Sequence, residues 1–332
     1  MQNEYLASLE GVHLPMHPSL AGSPLINGVK NAAGTTWGEF RASLKPRFGL
    51  VARDLAVNFA MLGLTFLPFF HYGRALPFWS VPLLAIWAGF WWHTMLLFLH
   101  EAAHYNIAPS RRLNDLLGNL LLMPLVGIDI ASYRDVHWKH HLNLGDDGDT
   151  EISYLNPISL SQMLLEFLGV NALRSLLRYF DASAPAKQET ARSPLFVFGL
   201  LLLLAAQAAV IGGLGLKVSP AAGLSWALAF WFVTPLCNKL RQTLEHRSMN
   251  AGNRKLFSPT EQGPVLRLFG SDWLSSKFGE AGFNRHLLHH WDPAISYTRV
   301  PEMEAFFMQS DLRQVVLANK SSYLKTFMVL AA

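Results

Sequence analysis

Four long apolar runs limit the folds open to this chain more than any other feature. Leu55–Phe70, Pro77–Leu99, Pro194–Leu216 and Pro220–Leu236 contain no Lys, Arg, Asp or Glu. At 1.5 Å per residue, roughly 20 helical residues cross a hydrocarbon core of about 30 Å, so the second and third runs are long enough and the first is near the minimum. A segment in lipid must satisfy its own backbone hydrogen bonds, which makes each run a helix. The runs pair across two short turns, at His71–Arg74 and Lys217–Pro220, and so form two hairpins. Only 15% of the chain is charged and its mean hydropathy is +0.22, whereas soluble domains carry about 25% charge. The predicted architecture is therefore an all-α membrane protein with four transmembrane helices in two hairpins, topped by a cytosolic helical cap.

The two inter-span turns hold only Arg74 and Lys217, which leaves 25 of the 27 Lys and Arg on the other side of the spans. The positive-inside rule then predicts that both termini are cytosolic. The net charge is +4 and the basic residues are scattered. That pattern fits flanks beside anionic lipid and gives no stripe for nucleic acid. Cys237 is the only cysteine, which excludes an intramolecular disulfide and any Cys-based metal site. Trp79 and Trp231 fall near run ends and read as interfacial anchors; Trp87, Trp91, Trp92 and Trp226 lie deeper and read as packing.

Between the runs the reading is coarser. Residues 1–53 form an N-terminal arm, loosely structured with one short helix expected, and residues 306–332 form a C-terminal cytosolic tail. Leu116–Ala131 is apolar but interrupted by Gly118, Asn119, Pro124, Gly127 and Asp129, which predicts a re-entrant or buried segment. Residues 160–180 carry Leu164, Leu165, Leu168, Leu173, Leu176, Leu177 and Phe180 among charges. They read as a helix lying in the membrane interface or packed on the cytosolic body. Asp181–Ser193 reads as a linker.

Three histidine clusters stand just outside the runs: His100-Glu-Ala-Ala-His104, His137-Trp-Lys-His140-His141 and His286-Leu-Leu-His289-His290. On a helix, residues i, i+3 and i+4 share a face, so each cluster can aim several imidazoles at one place. Adjacent histidines point about 100° apart, which suits two metals better than one. Eight imidazoles also exceed the roughly three protein ligands of a catalytic zinc, so a dinuclear site is the economical reading. His246 is a ninth candidate if the fourth span continues two turns beyond the membrane, as the second must to carry His100 and His104.

Taken alone, His100-Glu101-Ala-Ala-His104 also fits the HExxH zinc-protease motif, with Glu101 as general base. The metzincin extension fails because Ile107 and Ser110 stand where Gly and His are needed. A protease would also leave both HxxHH clusters unexplained. A metal carrier is the third class, but transporters place ionisable ligands near the bilayer midplane, whereas these clusters lie outside the spans. His93, inside the second run and seven residues before His100, either lines a channel below the metals or is a packed, hydrogen-bonded histidine. The acidic run Asp146–Glu151 lacks calcium-loop spacing. It is a solvated turn, or else Asp149 or Glu151 accepts a hydrogen bond from a ligand imidazole. Glu101, Asp135, Glu245 and Asp292 are equally eligible for that role. Asn284 reads as a turn residue or as a partner for metal-bound water.

The order and spacing of HEAAH, HWKHH and Asn284-Arg-His286-Leu-Leu-His289-His290-Trp-Asp-Pro293, with an isolated Glu245-His246 before the last box, resemble the integral membrane fatty acid desaturases and related hydroxylases and ketolases. The resemblance covers roughly residues 54–305. It implies two iron ions in an all-histidine site on the cytosolic side, with His100, His104, His137, His140, His141, His246, His286, His289 and His290 as ligands. It further implies dioxygen as co-substrate, a fatty acyl or similar amphiphilic substrate, and desaturation ahead of hydroxylation or ketolation. The third box begins with His and not Gln, unlike the front-end branch, and no His-Pro-Gly-Gly marks a fused b-type cytochrome. The expected electron donor is thus a separate ferredoxin, rubredoxin or b-type cytochrome with its reductase.

Overall fold

The computed structural model describes residues 24–146, 148–170, 194–254, 258–262 and 265–332. These residues are all-helical, with a few isolated β-bridges and no strand among them. Four helices are long and apolar enough to cross a membrane: Phe48–Ala75, Phe78–Ala103, Val197–Val218 and Pro220–His246. The first is longer than its apolar run because the helix already starts at Phe48 and absorbs Arg53 and Asp54, which pair with each other at 2.7 Å. The fourth does continue past the apolar run to end at His246. The proline turn before the fourth span is set by Ser219, whose hydroxyl accepts from the Ala222 amide.

The second span is the central one, 61% buried against 28%, 22% and 39% for the others. It meets the fourth span at Gly89, where an added Cβ would lie 2.5 Å from the Val233 Cβ, and the Thr234 hydroxyl donates to the Gly89 carbonyl at 3.1 Å. Trp91, Trp92 and Trp226 are buried as read; Trp79 and Trp231 are exposed at 72% and 40%. Trp87 differs, since it is 38% exposed and spends its indole N–H on the Met61 carbonyl at 3.0 Å.

The interrupted segment after the first box bends by 83° between Arg111–Val126 and Ile130–Asn143, a broken or re-entrant geometry. The bend turns on Gly127, whose φ of +74° suits glycine alone and whose added Cβ would strike Leu203 at 2.9 Å. Asp129 then restarts the chain as a helix by accepting from the amides of Ala131 and Ser132. Leu160–Phe167 packs Met163 on the fourth span beside Leu240 and sets Phe167 against Phe232 at 5.2 Å, while Leu160 and Leu164 stay exposed. Leu173, Leu176, Leu177, Phe180 and the Asp181–Ser193 linker lie outside the described residues.

The described part of the N-terminal arm is better ordered than its composition suggested. Thr36 and Glu39 form a reciprocal capping box for the helix Trp37–Arg41. Trp37 is fully buried, donates to Asp292 at 3.0 Å, and sits among Phe40, Phe306 and Phe307. Arg41 pairs with the same carboxylate at 2.7 Å. At the other end of the chain, Tyr323 stacks on Phe269 at 3.7 Å and donates to Glu245 at 3.1 Å.

Candidate metal centre

All nine predicted histidines come together, and none is more than 6% exposed. They divide into two groups, His100, His104, His137, His141 and His289 in one and His140, His246, His286 and His290 in the other. Within each group the ring nitrogens lie within 4.8 Å of one another, a geometry that could hold a metal ion. The second box is the hinge of this division. His137 and His141, four residues apart, face the first group, while His140 turns to the second, as the 100° step between neighbours on a helix requires.

The ring contacts fit a shared cation and not a hydrogen-bond network. His137 Nε2 lies 3.0 Å from His104 Nε2 and 2.9 Å from His141 Nε2, which is itself 3.1 Å from His289 Nε2. In the other group His286 Nε2 is 3.0 Å from His246 Nε2 and 3.2 Å from His290 Nε2. An imidazole nitrogen has one in-plane lone pair or one proton, and neither can be aimed at two neighbours at once. A metal with bonds of about 2.1 Å to imidazole places ligands at right angles about 3.0 Å apart. His140 Nε2 and the ring nitrogens of His100 are buried without a hydrogen-bond partner, so each of these rings has a nitrogen free to act as a ligand.

Carboxylates fix two of the rings. His140 Nδ1 is 2.8 Å from Asp149, whose other oxygen accepts from the Tyr154 hydroxyl at 2.7 Å. His137 Nδ1 is 3.0 Å from Glu151. A carboxylate can only accept, so each Nδ1 carries the proton and each Nε2 presents its lone pair to the group. Burial would raise the Glu151 carboxyl, but His140 and His137 beside it hold it well below the ordinary carboxylate range. Burial would likewise depress His140, yet Glu151 and Asp149 raise it. His141, His286, His289 and His290 are driven down by burial and then by neighbouring histidines, which leaves them in the neutral, ligand-competent form.

The other eligible carboxylates do different work. Glu101 accepts from the Tyr297 amide at 3.2 Å, and its second oxygen stays 3.7 Å from His100 Nδ1. Asp135 pairs with Lys139 on an exposed face, Glu245 with Arg241, and Asp292 with the N-terminal segment. His93 is packed, its two ring nitrogens 2.8 Å from Asn238 and 3.1 Å from the Phe278 carbonyl. Asn284 serves a turn, donating to the Gly270 carbonyl at 3.3 Å.

Sequence reasoning missed three contributors. Gln242 donates to Glu151 at 3.2 Å, and its position four residues before His246 on one helix face was a readable signal. Phe283 stacks on His286 at 4.9 Å and touches His100 at 4.4 Å, so one ring supports a member of each group. Arg134, on the second-box helix, donates to the Ala102 and Ala103 carbonyls that end the first-box helix. That cap holds His104 beside His137, because the last carbonyls of a helix have no partners of their own.

The first box ends a membrane-spanning helix, His246 ends another, and the two HxxHH boxes close over them, so the chain is an integral membrane protein with its histidines gathered at one end of the spans. A family model described as fatty acid desaturase matches residues 39–318, which takes in every histidine of both groups. On that match and this architecture, the chain belongs to the fatty acid desaturase family.

Proposed function

We propose that the protein is a membrane di-iron oxidoreductase that uses dioxygen and external electrons to desaturate a fatty acyl chain or similar amphiphile. The observation that carries this reading is the convergence of nine buried imidazoles into a group of five and a group of four. Imidazole suits iron among other metals, and a nitrogen-only set of neutral ligands leaves the charge of two ions uncompensated. When bound, two irons supply the oxygen-activating chemistry that attack on an unactivated C–H bond requires. The protein's share is placement. Asp149 and Glu151 orient His140 and His137, Phe283 braces His100 and His286, and burial keeps His141, His286, His289 and His290 neutral and bulk water out.

The zinc-protease reading is disfavoured by the same grouping. One zinc takes about three protein ligands and an open position, whereas His100 and His104 share their group with three further histidines. Glu101 is engaged by the Tyr297 amide. Hydroxylation and ketolation would use the same ligands, and the outcome depends on how the substrate carbon meets the oxidant.

Metal analysis and product analysis test the proposal together. The purified protein is expected to hold two irons per chain. Chelation should abolish activity and ferrous iron should restore it, and an active metal-free preparation would overturn the reading. Expression in a host with compatible reductants, followed by mass spectrometry of lipids, should give a product lighter by two hydrogens. A product heavier by one oxygen would mean hydroxylation.

A further inference from the structure

A redox centre buried this deeply needs a route for electrons, because none of its histidines is more than 6% exposed. Trp138 bridges that gap. It is partly exposed on the helix Ile130–Asn143. Its ring lies 4.9 Å from His104 and 5.4 Å from His141, two members of the five-histidine group. No other atom layer separates this indole from those imidazoles, so it joins the surface to the centre in a single step.

The surroundings of Trp138 are cationic. Arg134 lies one turn back on the same helix and stacks its guanidinium over the Tyr105 ring at 3.8 Å; Arg111 approaches the same ring at 4.9 Å. Arg112 and Lys139 are exposed nearby in the chain. Arg134 is paired with Asp115 and Lys139 with Asp135, so the uncompensated charge of the patch is that of Arg111 and Arg112, both exposed. Tyr105 follows His104 with a φ of +61°, a left-handed conformation that costs a tyrosine energy. The strained residue carries the ring on which both guanidiniums sit.

We propose that this patch docks an acidic one-electron carrier protein and that Trp138 is the ring through which the electron reaches His104 and His141. The proposal rests on the redox function above. Each encounter oxidises the carrier by one electron and reduces one metal ion by one, so a two-metal centre takes two encounters. Anionic lipid could also satisfy the cations, but lipid would have no use for an indole held against two candidate ligands.

The test is stopped-flow reduction of the oxidised, iron-loaded protein in neutral-lipid nanodiscs. One reductant is a reduced acidic [2Fe–2S] ferredoxin and the other is photoreduced deazaflavin, which is small and needs no docking surface. Reversing two charges with Arg111→Glu and Arg112→Glu should slow reduction by ferredoxin about tenfold or more at low salt and flatten its salt dependence. Trp138→Leu should slow it even at saturating ferredoxin, with iron content and ferredoxin affinity unchanged, and Trp138→Phe should recover most of the rate. Deazaflavin should reduce the charge-reversal variants at the wild-type rate, because it needs no docking surface, but Trp138→Leu should slow it too, because its electron must enter through the same ring. Ferredoxin rates that match wild type in these variants would overturn the proposal, as would charge reversal that weakens only the binding of anionic-lipid vesicles. Failure of deazaflavin to reduce the wild-type protein would instead overturn the redox reading beneath it.

Discussion

Asp149 illustrates how much one residue decides. Its carboxylate holds the His140 ring on one side and the Tyr154 hydroxyl on the other, and it is 5% exposed. Removing a partner of this kind commonly weakens metal binding about 10–100-fold. Asp149→Ala is therefore expected to weaken the four-histidine group selectively, and competition with a graded chelator should show one metal leaving early and the other at its wild-type position. Equal weakening of both metals would count against the assignment of His140 to that group. His140→Ala goes further and should abolish turnover while the helical circular dichroism survives. The imidazoles themselves were legible in the sequence because HxxxH and HxxHH place their rings on single helix faces. Their partition was not, since His140 and His141 choose different groups according to rings contributed from over a hundred residues away. The ranking of the carboxylates was equally hidden. Asp149 and Glu151 reach the histidines only because the chain after the second box folds back over its own helix.

At the scale of elements, the boxes are held by pieces that carry no histidine. The segment 24–47 carries a tryptophan, Trp37, buried against the turn that follows the third box, with its N–H on Asp292 across 255 residues. Truncating a fully buried tryptophan commonly costs about 3–5 kcal/mol. Trp37→Ala should accordingly lower the denaturation midpoint and release the third-box helix first, visible as faster amide exchange at residues 286–291. Trp37→Phe, which keeps the ring but loses the bond to a buried carboxylate, should cost less than half as much. A midpoint unchanged in Trp37→Ala would mean that this segment does not support the cap. The local helix was readable from Thr36 and Glu39 at capping-box spacing, but its docking was not, because nothing local encodes a partner so distant. The interrupted segment after the first box was more transparent. Gly118, Pro124 and Gly127 break an apolar run where a spanning helix would need continuity, and the structure bends at Gly127.

For the whole molecule, the governing fact is that the ends of the second and fourth spans bring His100, His104 and His246 to one level, where the HxxHH boxes join them. Four spans in two hairpins would account for this, because the second and fourth helices of an up-down-up-down bundle finish on the same side. On the proposed function that side must receive both an electron donor and the substrate's reacting carbon, so the orientation of the bundle would fix the compartment of the chemistry. The charge distribution, 25 of 27 Lys and Arg away from the inter-span turns, predicts that this compartment is the cytosol. The prediction can be checked with single cysteines in a Cys237→Ser background. In intact cells, a membrane-impermeant maleimide should label Arg74→Cys and Lys217→Cys, which sit in the turns, and should miss Arg313→Cys until the membrane is opened. The opposite pattern would place the histidines outside the cytosol. It would also deny the Trp138 patch a cytosolic carrier, since Arg111 and Lys139 lie with the boxes on the same side of the spans.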